Sequence, residues 1–248
     1  MEGYDASTYG EGFADVYDEW YGGISDAAAT VEVLAELAAG GPVLELGVGT
    51  GRLAIPLAAR GLEVHGVDAS PAMLERLAAK PGGDGVHVVV ADFTEVGVEV
   101  PGGFAVAFVA FNTLFNLPSA DAQRRCFAAV ADRLRPGGTF VVEAFIPDPD
   151  AAPSGGGLTT SSVGADQVVL QATMADAVPQ TISGSTITIS ADGVRMRPWH
   201  IRWATPDQLD EMAVGAGLVR RHRWAAWDRS AHVSDDTRHV TVYERPQA

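Results

Sequence analysis

Between residues 42 and 145, apolar runs of strand length alternate with segments of helical spacing. PVLELGVG precedes GRLAIPLAARG, and LEVHGVD precedes PAMLERLAAK. VHVVVADF and FAVAFVAF precede DAQRRCFAAVADRLRPGG, and TFVVEAF closes the series. Runs this apolar predict strands buried on both faces, and their alternation with helices predicts βαβ units on a parallel sheet. Ser70-Pro71 has the chemistry of a helix start: a side-chain oxygen at the N-cap, then a residue whose missing N–H costs nothing in the first turn. The first 40 residues predict two helices, FADVYDEWY and DAAATVEVLAELAAG, the second capped by Asp26 and stopped by Gly40-Gly41.

The period changes after Phe145. PDPDAAPSGGG reads as a linker. From Val168 to Arg202 polar and apolar residues alternate through QVVLQATM, STITIS and GVRMRPWHIRW. That pattern predicts antiparallel strands with one wet face, reversed at Asp192-Gly193. PDQLDEMAVGAG predicts a helix with Thr205 as N-cap, and LVRRHRWAAW and HVTVYER two final strands.

Composition narrows the class. With 248 residues and 47% hydrophobic content, the chain can bury the core of one α/β domain with an elaboration, or of two small domains. A net charge of -15 keeps the chain soluble, repels phosphate backbones and anionic membranes, and favours cationic or neutral ligands. No apolar run approaches the ~18 residues of a membrane span, and the acidic N-terminus lacks a secretory pattern. Cys126 is the only cysteine, which excludes an intramolecular disulfide and a thiolate metal cluster. Lying beside Phe127 in a helical segment, it is expected in the core. The expectation is a cytoplasmic protein, monomer or homodimer, with a small-molecule partner, no nucleic acid, no membrane and no metal.

The sharpest chemical signal is Glu45-Leu46-Gly47-Val48-Gly49-Thr50-Gly51, which ends a strand and opens a helix. Glycines there let backbone approach a ligand, and a helix N-terminus presents free N–H groups. A dinucleotide fingerprint has the spacing G-x-G-x-x-G. Here the third glycine comes one residue early and Arg52 holds the last position. This spacing argues against a nicotinamide cofactor.

The E-x-G-x-G-x-G pattern resembles motif I of the class I S-adenosylmethionine (SAM)-dependent methyltransferases. The likeness continues in order: Asp68 ends the second strand, Asp92 follows the third, and Arg135-Pro136-Gly137-Gly138 precedes the fifth. The final two strands resemble the antiparallel hairpin of that fold. The resemblance implies an α/β, Rossmann-like seven-stranded mostly parallel sheet with helices on both faces, N-terminal helices and a small inserted antiparallel sheet. Residues 1–248 would form one domain: a helical cover (1–40), a SAM-binding core (41–147), an inserted substrate-covering sheet (157–203), and a C-terminal helix and hairpin (204–248).

It also implies roles. Asp68 would accept the ribose hydroxyls, beside Ala69. Asp92 would take the adenine amino group while the Phe93 backbone reads the ring, and Met73 would pack on the adenine. Glu45 and Gly47 would meet the methionine end, with Gly49 and Gly51 shaping the loop. Tyr17 or Tyr9 would touch the methionine carboxylate, or pack under the cover. Asn112 would line the junction between cofactor and acceptor. Around it Phe111-Asn112-Thr113-Leu114-Phe115-Asn116 lacks both prolines of the DNA adenine methyltransferase motif, which disfavours a nucleobase acceptor.

Tyr9, Phe115, Asn116, Trp199, Arg202, Trp203 and Trp227 are expected to wall an acceptor pocket, although strand alternation lets only half of the inserted sheet's residues face inward. Of the six histidines, His65 and His87 lie on inner-strand sequences and His222 and His232 read as surface. His200 is the preferred general base, should the acceptor need one. The expected activity is methyl transfer from SAM to an N-, O- or C-nucleophile of a small molecule, such as a natural-product or amino-sugar intermediate. The alternatives are a SAM-binding regulatory protein without catalysis and an NAD(P)-dependent oxidoreductase.

Overall fold

The computed structural model describes residues 1, 3–23, 26–96, 99–146 and 155–247. Helices α1 (Thr8–Phe13), α2 (Tyr17–Tyr21) and α3 (Ala27–Ala38) precede strand β1 (Val43–Leu46). Then follow α4 (Ala54–Ala59), β2 (Val64–Asp68), α5 (Pro71–Ala78), β3 (Val86–Val90), β4 (Phe104–Val109), α6 (Ala120–Arg133) and β5 (Leu134–Phe145). Strands β6 (Gly155–Val163), β7 (Gln167–Asp176), β8 (Thr181–Ser190) and β9 (Gly193–Arg202) form the insertion. Helix α7 (Pro206–Gly215) and strands β10 (Val219–Trp224) and β11 (Arg238–Glu244) complete the chain.

The main sheet has seven strands in the order β10-β11-β5-β4-β1-β2-β3. β1, β2, β3, β4 and β5 run parallel, while β11 is antiparallel to β5 and β10 to β11. Every residue of β1 and β4 is buried, as their apolar runs require. Leu34 of α3, Leu57 of α4 and Leu77 of α5 pack one face; Phe127 of α6 and Leu209 of α7 pack the other. β1 has β2 on one side and β4 on the other, so the crevice above their carboxyl ends is the switch point where ligands of such sheets bind.

The caps agree with their chemistry. The Asp26 carboxylate accepts from Ala29 N–H, Ser70 caps α5 with Pro71 in its first turn, and Thr205 and Gln208 form a reciprocal capping box. Cys126 is fully buried. Among the described residues no helix is long and apolar enough to cross a membrane.

Four expectations need correction. FADVYDEWY is not one helix: the chain turns between α1 and α2, so that Phe13, Trp20 and Tyr21 can converge beside Met73 of α5. The Arg135–Gly138 turn lies inside β5, which begins directly after α6; Gly138 fits there because a β-carbon on it would come within 2.7 Å of the Phe104 carbonyl oxygen. The insertion has a fourth strand, β6, formed by GGGLTTSSV; a fully exposed edge strand has no apolar alternation to read. The remainder of the expected linker, 147–154, lies outside the described residues. Finally, β3 is an edge strand and His87 on it is exposed, its ring 4.9 Å from that of His65.

Candidate active site

The loop after β1 turns sharply, with positive φ at Gly47, Gly49 and Gly51. Gly47 and Val48 N–H both donate to the Val67 carbonyl, at 2.7 and 3.0 Å, which pins the loop to the tip of β2. Asp68 ends β2 and holds the loop from the other side. Its Oδ2 accepts from Gly49 N–H at 2.8 Å and its Oδ1 from Ser70 N–H at 2.9 Å. Burial pushes the Asp68 carboxyl above its ordinary pKa, while these backbone donors pull it down. The Cβ direction at Gly49 is open, with no protein atom within 4 Å.

A cavity opens beside this loop. Gly47, Gly49, Asp68, Ala69, Met73 and Phe93 form its floor, and Tyr9 and Tyr17 descend from the cover. These expected cofactor residues are therefore brought together. Gly51 instead packs toward Ile55 and Leu77, so its part is to turn the chain into α4. Asp92 lies outside the cavity: its exposed carboxylate caps the next turn through Thr94 N–H at 2.8 Å.

Glu45 sits behind the loop on β1, buried, and its Oε2 has no hydrogen-bond partner. Burial raises its pKa to about 8, against the opposing charge of Arg52. A cation arriving beside the spare oxygen would pull this carboxyl back toward its ionised form.

The cover is fastened by three acids to three different elements. Glu11 Oε1 accepts from Ser70 Oγ (2.7 Å) and Ala72 N–H (3.1 Å). Asp18 Oδ1 accepts from Thr50 Oγ1 (2.6 Å) and Lys80 Nζ (2.8 Å). Asp15 pairs with Arg195 and with Arg197 of β9, whose guanidinium lies 5.1 Å from the ring centre of Trp20.

A second cavity continues from the first through Tyr9, Tyr17, Thr113 and Asn116. Tyr21, Phe111, Asn112 and Phe145 line it from the main fold; Gln171, Thr173, Thr186, Trp199 and Ile201 line it from the inserted sheet. None of these side chains carries a charge at neutral pH. Burial raises the Tyr9 hydroxyl well above its ordinary pKa and the Tyr17 hydroxyl to about 12. The corner after β4 is held in an unusual shape: Phe111 and Asn112, neither a glycine, both have positive φ. Glu143 of β5 clamps it, Oε2 accepting from Phe111 N–H at 2.8 Å and its backbone carbonyl from Asn112 N–H at 3.1 Å. Asn112 Oδ1 in turn accepts from Phe145 N–H at 2.6 Å.

The structure moves five expected acceptor residues away. On β9, Trp199 and Ile201 face the cavity, so the intervening His200 faces the opposite side, where its Nδ1 is 2.8 Å from Ser183 Oγ and its ring meets Tyr4 edge-on. The same alternation excludes Arg202. Its buried guanidinium donates to Gln123 Oε1 (2.6 Å) and Gln180 Oε1 (2.8 Å), tying the inserted sheet to α6. Trp203 and Phe115 belong to the core around Phe127, because both side chains are almost wholly apolar and α6 offers them cover. Trp227 is buried on the α3–α4 face of the main sheet.

Sequence reasoning missed Tyr4, Tyr21, Phe145, Gln171, Thr173, Thr186 and Ile201. Only for the last four was there a signal: on an antiparallel sheet they share the face of Trp199 once the register is known.

A methyltransferase domain model matches residues 43–138, the segment that holds the glycine loop, Asp68 and β4. The chain is 41% identical to the solved CcbJ methyltransferase from Streptomyces caelestis, covering 99% of this chain and all of that one, with a TM-score of 0.90. A cypemycin N-terminal methyltransferase from a Streptomyces species is 29% identical over 219 residues, 86% of this chain and 88% of that protein. The solved sugar N-methyltransferase KedS8 from a Streptoalloteichus species shares the fold, with a TM-score of 0.69 at 20% identity over 100% of this chain and 99% of that one.

Proposed function

The chain belongs to the class I SAM-dependent methyltransferases and methylates a small molecule, and we propose that the atom it methylates is an amine nitrogen. The observation that carries the proposal is the acceptor cavity, whose described lining holds aromatic rings, amides and hydroxyls but no acid, histidine or lysine.

A hydroxyl or carbon acid needs a base to take its proton. None lines this cavity. His200 faces away, and Tyr9 and Tyr17 stay protonated far above neutral pH. A neutral amine already has its lone pair, and a wall without a carboxylate gives its protonated form no counter-charge. The acidic chain still attracts the cationic form from solution. The relative that acts at the N-terminus of cypemycin points the same way.

The residues fit the cofactor. The open space at Gly49 and the unpartnered Glu45 Oε2 are the features that a ligand with a cationic amino acid end would complete. We assign Asp68 to the ribose, Met73 and Phe93 to the adenine, Glu45 and Gly47 to the methionine end, and Tyr17 to the space above it. When bound, SAM supplies an electrophilic methyl group on sulfur. The chain's part is to exclude water beneath the cover and hold the amine in line. Incubation with labelled SAM and a panel of secondary alkyl amines, alcohols and phenols tests the proposal. Label on amines is the expected result; label on oxygen acceptors alone would overturn it.

A further inference from the structure

Of the 17 lysine and arginine side chains in the sequence, Lys80 alone is a lysine. Its Nζ donates to Asp18 Oδ1 at 2.8 Å and to the Thr50 carbonyl at 2.9 Å. Thr50 stands between Gly49 and Gly51 in the cofactor loop, and its Oγ1 donates to the same carboxylate oxygen at 2.6 Å. Asp18 follows Tyr17 on α2 of the cover, and Tyr17 lines the cofactor cavity. Ammonium, loop and cover thus close a ring of three hydrogen bonds beside that cavity. Helix α2 has five residues, none of them fully buried, far short of the ~12 at which an isolated helix becomes even marginally stable. Its polar ties therefore count for more than such ties usually do. The post it is tied to is rigid. Helix α5 ends two residues before Lys80, and the chain then turns so tightly that a β-carbon on Gly83 would come within 2.0 Å of the Leu77 carbonyl oxygen. An ammonium also suits the place: its three donors spread in different directions to reach a carboxylate and a carbonyl, whereas the planar fork of arginine matches one flat partner.

We propose that Lys80 is a positioning residue for the cofactor: it holds Tyr17 and the glycine loop together over bound SAM, and so sets how long SAM stays before an acceptor arrives. The inference rests on the placement of SAM against the glycine loop and Asp68. Lys80 does not line the cofactor cavity, so its effect passes through Tyr17 and the loop. Lifting α2 away from the loop breaks the ion pair with Asp18 and the Thr50–Asp18 bond together, and closing it over SAM remakes both. The Lys80 and Asp18 side chains are 32% and 48% exposed, so dissolved salt screens the pair.

Labelled SAM bound to the full chain and chased with excess unlabelled SAM measures the release rate and tests the proposal. Lys80→Met is expected to release SAM roughly fivefold faster than the wild type or more, with the wild-type circular dichroism spectrum. Asp18→Asn keeps an oxygen for Thr50 but loses the charge, and is expected to match Lys80→Met within about twofold. The double variant should release SAM no faster than either single one, because the two residues act as one contact. Added salt should speed release from the wild type by a larger factor than from Lys80→Met, which a residue needed only for folding would not produce. Release from Lys80→Met at the wild-type rate, single effects that multiply in the double variant, or the same salt dependence in both proteins would each overturn the proposal. Wild-type SAM affinity in Asp68→Ala would instead displace the cofactor itself, and the proposal with it.

Discussion

Trp199 owes its position to Gly184, its direct partner across the β8–β9 ladder: a β-carbon on Gly184 would come within 2.4 Å of Trp199 Cζ2 and 2.5 Å of Cε2. The indole occupies the space that any side chain there would need, and from it forms part of the acceptor wall. Gly184→Ala is therefore expected to push the ring into the cavity. Acceptor kcat/KM should fall tenfold or more while SAM affinity changes by less than about 1 kcal/mol, roughly fivefold. Steady-state kinetics and calorimetry measure the two separately.

For Asp68, the expected outcome is opposite in kind. Asp68→Ala removes the acceptor of Gly49 N–H and, on the proposed placement of the cofactor, that of the ribose hydroxyls, so SAM affinity should fall by roughly 2–4 kcal/mol. Calorimetry on variant protein with a native circular dichroism spectrum checks this, and wild-type affinity in that variant would misplace the cofactor.

Glu45 ties stability to pH. Its folded pKa of about 8 lies above the ordinary carboxylate value, so the native state binds more protons than the unfolded chain across the window between them. Stability without ligand must then fall as pH rises toward 8, by roughly 2–5 kcal/mol in all if the shift is complete. His239 acts with the other sign. Buried with a pKa of about 3, it is neutral in the fold while its unfolded counterpart still titrates, so its contribution rises with pH and is finished by about pH 7. The slope between pH 7 and 8 therefore belongs to Glu45. Thermal melts of Glu45→Gln should lose that slope, and the stabilisation by SAM should grow over the same interval in wild type only.

His200→Ala is expected to leave kcat within about twofold and the pH profile unchanged, because the imidazole faces away from the acceptor cavity. Loss of a limb near pH 6–7 would restore it as a base.

Glu143→Gln should act on turnover without chemistry of its own. Its carboxylate accepts from Phe111 N–H at a corner where Phe111 and Asn112 both hold left-handed backbone, at a cost on the order of 1–3 kcal/mol per residue. With a neutral amide the corner is held less firmly, so kcat is expected to fall severalfold with no change in the pH profile. An altered profile would instead give Glu143 a direct part in proton transfer.

The seven-stranded sheet and the meeting of the glycine loop with Asp68 were legible in the chain, because both are written in local chemistry. Continuous apolar runs leave β1 and β4 no place but the interior, and helix caps such as Ser70 and Thr205 act on neighbours three residues away. The glycines and Asp68 meet through a single βαβ crossover. The acceptor side depends on contacts with no local signature. Which residues of β9 face inward is a choice between two faces, and it falls to Trp199 rather than His200 because the sheet docks through Arg197 onto Asp15 and Trp20. Arg202 and Trp227 read as pocket residues by composition, yet acceptors on α6 and cover from α3 draw them elsewhere. β6 carries no alternation at all, and becomes a strand only because β7 offers it an edge. Partners far apart in the chain decided these positions, and only the folded arrangement brings them together.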